Sequence, residues 1–228
     1  MWVMKNDLTE IAFILDRSGS MASMVEAAIS GFNRLLQDQQ AAPGDARFSL
    51  VLFDDHYEVP CASLPIRQVP LLDTQTFVPR GSTALLDAIG RTIDDLGKRL
   101  ATTPETERPG TVIIAILTDG EENSSLQETY ESISRKIRHQ QEIYAWQFLF
   151  LAANVDAIAT AGRMNIRAKD AACFIAEPES LAATKDAISR KMRASRAVRA
   201  GNATVAEAHC AEADLADVVR EEERKRGR

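Results

Sequence analysis

Cysteine, histidine and aromatic residues are all scarce in this sequence: three cysteines, three histidines and 6% aromatics in 228 residues. Cys61, Cys173 and Cys210 are odd in number and widely scattered, which fits neither a disulfide framework nor a zinc site of paired spacing. They read as reduced thiols of a cytoplasmic protein. His56, His139 and His209 lack ligand-like spacing and read as turn or surface residues. Positive charge is short as well. The 27 Lys and Arg against 33 Asp and Glu leave a formal net charge of −6, so no general attraction draws the chain to nucleic acid or to an anionic membrane. A basic stripe interleaved with aromatics, the mark of RNA binding, is missing too. No apolar run approaches the ~20 residues that span a bilayer. Met1 to Thr9 lacks the apolar segment of a signal peptide.

What remains is a composition of 45% hydrophobic and 26% charged residues, that of an ordinary globular domain. Glu10 to Leu15 and Thr111 to Leu117 are short, almost continuous apolar runs, as expected of strands buried on both faces. Arg47 to Phe53 and Tyr57 to Ala62 flank a polar turn and predict a hairpin toward a sheet edge. Tyr144 to Leu151 and Ala171 to Ile175 are further strand candidates. Helical spacing begins at Met24 and stops before Pro43-Gly44, resumes after Gly81-Ser82-Thr83, and returns over Leu126 to His139 and Val155 to Gly162. Strands alternating with helices predict an α/β fold: a doubly wound, Rossmann-like, mainly parallel sheet with an antiparallel edge strand and helices on both faces. Residues 8–178 form that domain. Residues 179–228 hold no strand candidate and predict a helical C-terminal extension, with Val205 to Val219 as one amphipathic helix that docks on the chain itself or on a partner.

In such a sheet, loops at the carboxyl ends of the strands gather at one rim, which brings Asp16, Ser18 and Ser20 near Asp119. Thr83, just before its own helix, reaches the same rim. The set is two carboxylates and three hydroxyls, hard oxygen donors that suit Mg²⁺, with Mn²⁺ or Ca²⁺ as alternatives. Alternate side chains of Asp-x-Ser-x-Ser point the same way, so one loop supplies three donors. Hydroxyls leave the ion under-neutralised, which invites an external carboxylate.

Asp16-Arg17-Ser18-Gly19-Ser20, Gly81-Ser82-Thr83 and Thr118-Asp119-Gly120 together resemble the metal-ion-dependent adhesion site of von Willebrand factor A domains. The resemblance covers approximately Leu8 to Pro178. It implies that Ser18, Ser20 and Thr83 are hydroxyl ligands, that Asp16 and Asp119 bind directly or through water, and that a protein partner's Asp or Glu completes the shell. FILDRSGSM, GSTALLDAIG and ILTDGEEN are similar to stand-alone bacterial cytoplasmic members, some of which are associated with kinases, phosphatases or stress-response clusters.

The resemblance implies a binding module with no catalysis. Two rivals share its features: a Mg²⁺-dependent phosphohydrolase, which needs a second Asp where Ser18 stands, and an RNA-associated component, which the acidic balance opposes. Around the site, Arg17 faces either a partner's acid or solvent. Asp87 is a favourable acid in a helix's first turn. Glu121 and Glu122 form either a solvated loop or an acidic rim, and Ser82 or Thr83 is a candidate helix cap.

Overall fold

The apolar run that begins at Glu10 is the centre of a longer strand, β1 (Lys5–Asp16). It lies inside a sheet completed by β2 (Asp45–Phe53), β3 (Tyr57–Pro65), β4 (Pro109–Thr118), β5 (Gln147–Ala152) and β6 (Ala171–Cys173), in the order β3-β2-β1-β4-β5-β6. The computed structural model describes residues 5–153 and 157–226. All neighbouring strands are parallel except β2 and β3, which form the antiparallel edge. The expected fold class is the observed one.

Successive side chains of β1 point to opposite faces. Ile11, Phe13 and Leu15 pack with α1 (Val25–Ala41), α5 (Pro178–Ala200) and α7 (Leu215–Arg226). Ala12 and Ile14 pack with α2 (Leu85–Thr102), α3 (Tyr130–Tyr144) and α4 (Ala157–Arg163). Phe32 of α1 anchors the first core, edge-on to Phe13 at 5.8 Å and to Phe48 at 6.0 Å between ring centroids. Among the described residues no helix is long and apolar enough to cross a membrane.

The C-terminal helices dock on the chain itself. Leu181, Ile188 and Met192 of α5 and Leu215, Val218 and Val219 of α7 belong to the same buried cluster as β1. The single helix expected over Val205 to Val219 is instead two, α6 (Val205–Glu212) and α7. At the break Ala213 is extended (ψ 151°), and its carbonyl accepts from the buried Lys191 ammonium, which also donates to the Lys169 carbonyl. Val205 is 89% exposed and joins no apolar face.

Other boundaries shift for local reasons. The helix expected from Leu126 starts at Tyr130, because the amides of Leu126, Gln127 and Glu128 donate to the Asp87 carboxylate and Thr129 then caps the helix reciprocally with Ser132. It runs through Tyr144, ending at Ala145 in the left-handed region (φ 54°), so β5 begins at Gln147 rather than Tyr144. β6 stops at Cys173, short of Ile175. Val155 and Asp156, expected to open a helix, lie outside the described residues; α4 begins at Ala157.

Where α1 crosses α5, Gly31 leaves room for the buried Lys185 side chain. A Cβ added at Gly31 would stand 2.3 Å from Lys185 Cδ and 3.0 Å from its Nζ. The lysine is 1% exposed and its ammonium donates to the carbonyls of Ala27 and Ala28, so it cannot swing aside. Gly31→Ala, which inside an ordinary helix gains about 1 kcal/mol, is therefore expected to lower stability here. In a denaturant double-mutant cycle Lys185→Ala should remove most of that loss; strictly additive effects would show that the two residues do not compete for the space.

Strand order reverses about β1, which is flanked by β2 and β4. Ligands of open α/β sheets bind in the crevice at such a point, beyond the carboxyl ends of the strands. The register pairs Asp16 with Phe53 on one side and Leu15 with Leu117 on the other. Arg17 thus meets Asp54, and Asp16 meets Thr118 and Asp119.

Candidate metal centre

Asp16 ends β1 fully buried, with both oxygens engaged. Oδ1 accepts from the Ser18 amide at 2.7 Å and Oδ2 from the Thr118 hydroxyl at 2.5 Å. The turn that follows brings Ser18 Oγ to 3.1 Å from Ser20 Oγ, and Ser20 Oγ donates to Asp119 Oδ1 at 2.7 Å. Thr83 closes the group from the other loop. A Cβ added at Gly120 would lie 2.9 Å from Thr83 Oγ1, 3.6 Å from Ser20 Oγ and 3.7 Å from Ser18 Oγ, so the three hydroxyls lie close to a single point beside Asp119. Gly81, left-handed at φ 67°, turns its carbonyl to accept from the Gly19 amide at 3.2 Å and so joins the two loops. The structure brings together all five residues singled out in the sequence.

Burial raises the Asp16 carboxyl above its ordinary range, against hydrogen bonds from Thr118 and Ser18. Asp119 is pushed up to about 6, by burial first, with the Ser20 hydroxyl opposing and the charge of Asp16 adding. Two carboxylates held where their own charge is disfavoured, ringed by hydroxyls, form a donor set that fits a hard divalent cation. Nothing in the set is a soft donor.

The surrounding residues have definite roles. Arg17 faces neither a partner nor solvent: it is 4% exposed, with its Nε 3.0 Å from Asp54 Oδ2 and its terminal nitrogens 2.7 and 2.9 Å from the Glu58 oxygens. Arg80 shares both acids. Hydrogen bonds from Arg17, chiefly, hold the Glu58 carboxyl down to about 2. Asp54, Asp55 and His56 bring ligand-type atoms within 4.8 Å of one another, but Asp54 Oδ2 already serves two guanidinium groups and Oδ1 the His56 amide. The positive charge at that cluster is supplied by arginine. His139 packs edge-on against Tyr144.

Glu122 is not part of an acidic rim. Its carboxylate accepts from the amides of Leu86, Ser124 and Ser125, while Glu121 is exposed. Neither Ser82 nor Thr83 caps α2; the position belongs to Ala84, without a side-chain bond, and Glu122 takes the Leu86 amide instead. The Thr83 amide donates to Asn123 Oδ1 at 2.9 Å. The sequence assigns no role to Thr118 or Asn123, although both stand in ILTDGEEN. For Thr118 a signal existed, since it is the last residue of the β4 run and register sets it beside the end of β1.

No family model and no curated protein sequence matches the chain. Solved structures do. A von Willebrand factor type A protein from Catenulispora acidiphila aligns at 17% identity and TM-score 0.54, over 82% of this chain and 42% of its own. Proximal thread matrix protein 1 of the mussel byssus, solved with a zinc-occupied metal-ion-dependent adhesion site, aligns at 15% identity and TM-score 0.57, over 81% and 46%. The ArnB paralog VWA2 of Sulfolobus acidocaldarius aligns at 20% and 0.50, over 83% and 46%. The chain spans less than half the length of each. Sequence identity this low establishes shared architecture, and on that ground the chain has the fold of the von Willebrand factor type A domains.

Proposed function

We propose that the chain is a non-catalytic binding module in which Asp16, Ser18, Ser20, Thr83 and Asp119 hold a divalent cation, Mg²⁺ in the cell, and a protein partner's Asp or Glu completes its coordination. The observation that carries this reading is the convergence of the three hydroxyls on one point beside two charge-disfavoured carboxylates. A bound cation supplies positive charge that a partner's carboxylate can engage. The chain's own residues do the rest: Asp16 and Thr118 brace the floor, Ser20 and Asp119 form the exposed side, and Thr83 closes the ring.

A hydrolytic reading is opposed by the same geometry. Asp16 is fully buried and braced by Ser18 and Thr118, and a serine stands where a phosphohydrolase of this pattern carries its second Asp. Turnover of a generic phosphomonoester is expected to be nil. Three free cysteines, two of them buried, support a reducing compartment, and the reading places the domain in a bacterial cytoplasm.

The test is thermal unfolding with Mg²⁺ and Mn²⁺. A ligand at about 100 times its dissociation constant stabilises by about 2.7 kcal/mol, a melting shift of about 5–10 °C for a domain of this size. Asp119→Ala and Ser20→Ala should abolish the shift. A wild-type melting temperature indifferent to millimolar Mn²⁺, or an Asp119→Ala variant that still responds, overturns the reading.

A further inference from the structure

Strand register fixes Asp16 against Thr118, but it does not fix Thr83 against Asp119, which stand on different connections. The loop from Asp119 to Thr129 contains neither helix nor strand. Left to itself, such a loop would leave the distance between these two residues to chance.

Side chains outside the oxygen ring supply the missing constraint. Asn123 grips Thr83 at two points: its Oδ1 accepts from the Thr83 amide at 2.9 Å, and its own amide donates to the Thr83 carbonyl at 3.1 Å. Beyond it, helix and loop exchange carboxylates. Glu122, from the loop, accepts from the Leu86 amide in the first turn of α2 at 2.9 Å and from the amides of Ser124 and Ser125 at 3.0 and 2.7 Å. Asp87, from α2, accepts from the loop amides of Leu126, Gln127 and Glu128 at 2.9, 3.0 and 2.7 Å. The loop thus satisfies an orphan amide of the helix start, and the helix satisfies the orphan amides of the loop. The contact continues one turn further: a Cβ added at Gly90 would lie 2.6 Å from Glu128 Cγ.

We propose that Asn123, Glu122 and Asp87 are positioning residues that hold Thr83 and Asp119 in register, so that the five oxygens stand assembled before a cation arrives. The proposal rests on the metal-site reading above. A preassembled site spends none of its binding energy on ordering the loop, and the partners that orient ligands are worth roughly 10–100-fold in metal affinity.

Two readouts separate positioning from mere stability. In chelator-treated protein, Asn123→Ala and Asp87→Leu should speed amide exchange at Gly19 and Gly120, whose amides bond to Gly81 O and Thr118 Oγ1, by about tenfold, while β5 exchanges as in the wild type. In a calorimetric titration with Mn²⁺ both variants should bind about 10–100-fold more weakly. Asp87→Asn, which keeps one of the two acceptor oxygens and turns an NH2 toward a loop amide, should recover only part of both effects. Thr204→Ala, which removes the cap of α6, is the control: it should lower stability and leave both readouts unmoved. Wild-type exchange at Gly19 and Gly120 in Asn123→Ala, or Mn²⁺ affinity lost as much in Thr204→Ala, overturns the proposal. If exchange rises as expected in a protein that binds no Mn²⁺, positioning stands and the metal reading falls.

Discussion

Asp54→Ala is expected to cost the domain about 3–5 kcal/mol, the loss typical when one partner of a buried ion pair is removed. The reason lies in what Asp54 leaves behind. The Arg17 side chain is 5% exposed and that of Asp54 is 0% exposed, so the guanidinium loses its one fully buried counter-charge where water cannot replace it. Glu58 stays in contact with Arg17 but is 48% exposed, and its pull is screened. The same substitution frees the His56 amide, which donates to Asp54 Oδ1 at 2.6 Å. Asp54→Asn keeps an acceptor for that amide and should cost less than alanine. Replacing both members, as Arg17→Met with Asp54→Leu, should recover much of the loss, because well-packed apolar residues often match a buried pair. Urea titrations of the four proteins decide the point. An Asp54→Ala variant within about 1 kcal/mol of the wild type would place the pair among surface ion pairs of little worth.

That pair also shows where sequence reading ends. The apolar runs of β1 and β4 and the residues that follow them were legible because burial on both faces leaves an unbroken hydrophobic signature and strand ends gather at one rim. Asp16, Ser18, Ser20, Thr83 and Asp119 could therefore be brought together without coordinates. Arg17 could not be placed, since its partners Asp54 and Glu58 lie across β2 and β3, and a charge's partner leaves no periodic trace. Asp87 was read as an acid suited to a helix start. What ties it to the loop before α3 is a set of side-chain to backbone bonds between segments ~40 residues apart, which neither propensity nor spacing encodes. The break between α6 and α7 was hidden for a related reason. The carbonyl turned out at the break meets the buried Lys191 ammonium, and a lysine in a helix ordinarily reads as solvent-facing.

Lys185 is the other buried lysine of α5, and the second large effect expected is a pH dependence of stability that traces to it. Its Nζ donates to the carbonyls of Ala27 at 3.1 Å and Ala28 at 3.0 Å, and burial lowers its pKa from 10.5 to about 7. Below pH 7 the amine is protonated in both folded and unfolded chains, and the cost of burying the charge is borne in full. Between pH 7 and 10.5 the unfolded chain holds the proton and the folded one does not, so stability rises with pH across that window. The displacement corresponds to about 5 kcal/mol over the whole window. Lys185→Met keeps the length of the side chain and removes the titration, while the two carbonyls retain their partners within α1. The variant should therefore be the more stable protein below pH 7, and its advantage should shrink steadily as the pH is raised. Subtracting the two denaturation series cancels every other titrating group, among them Lys191, which burial also lowers. A difference that stays constant from pH 6 to 10 would mean that the ammonium keeps its proton in the folded state. The crossing of α1 and α5 would then owe its stability to the two carbonyl hydrogen bonds and not to a neutral amine.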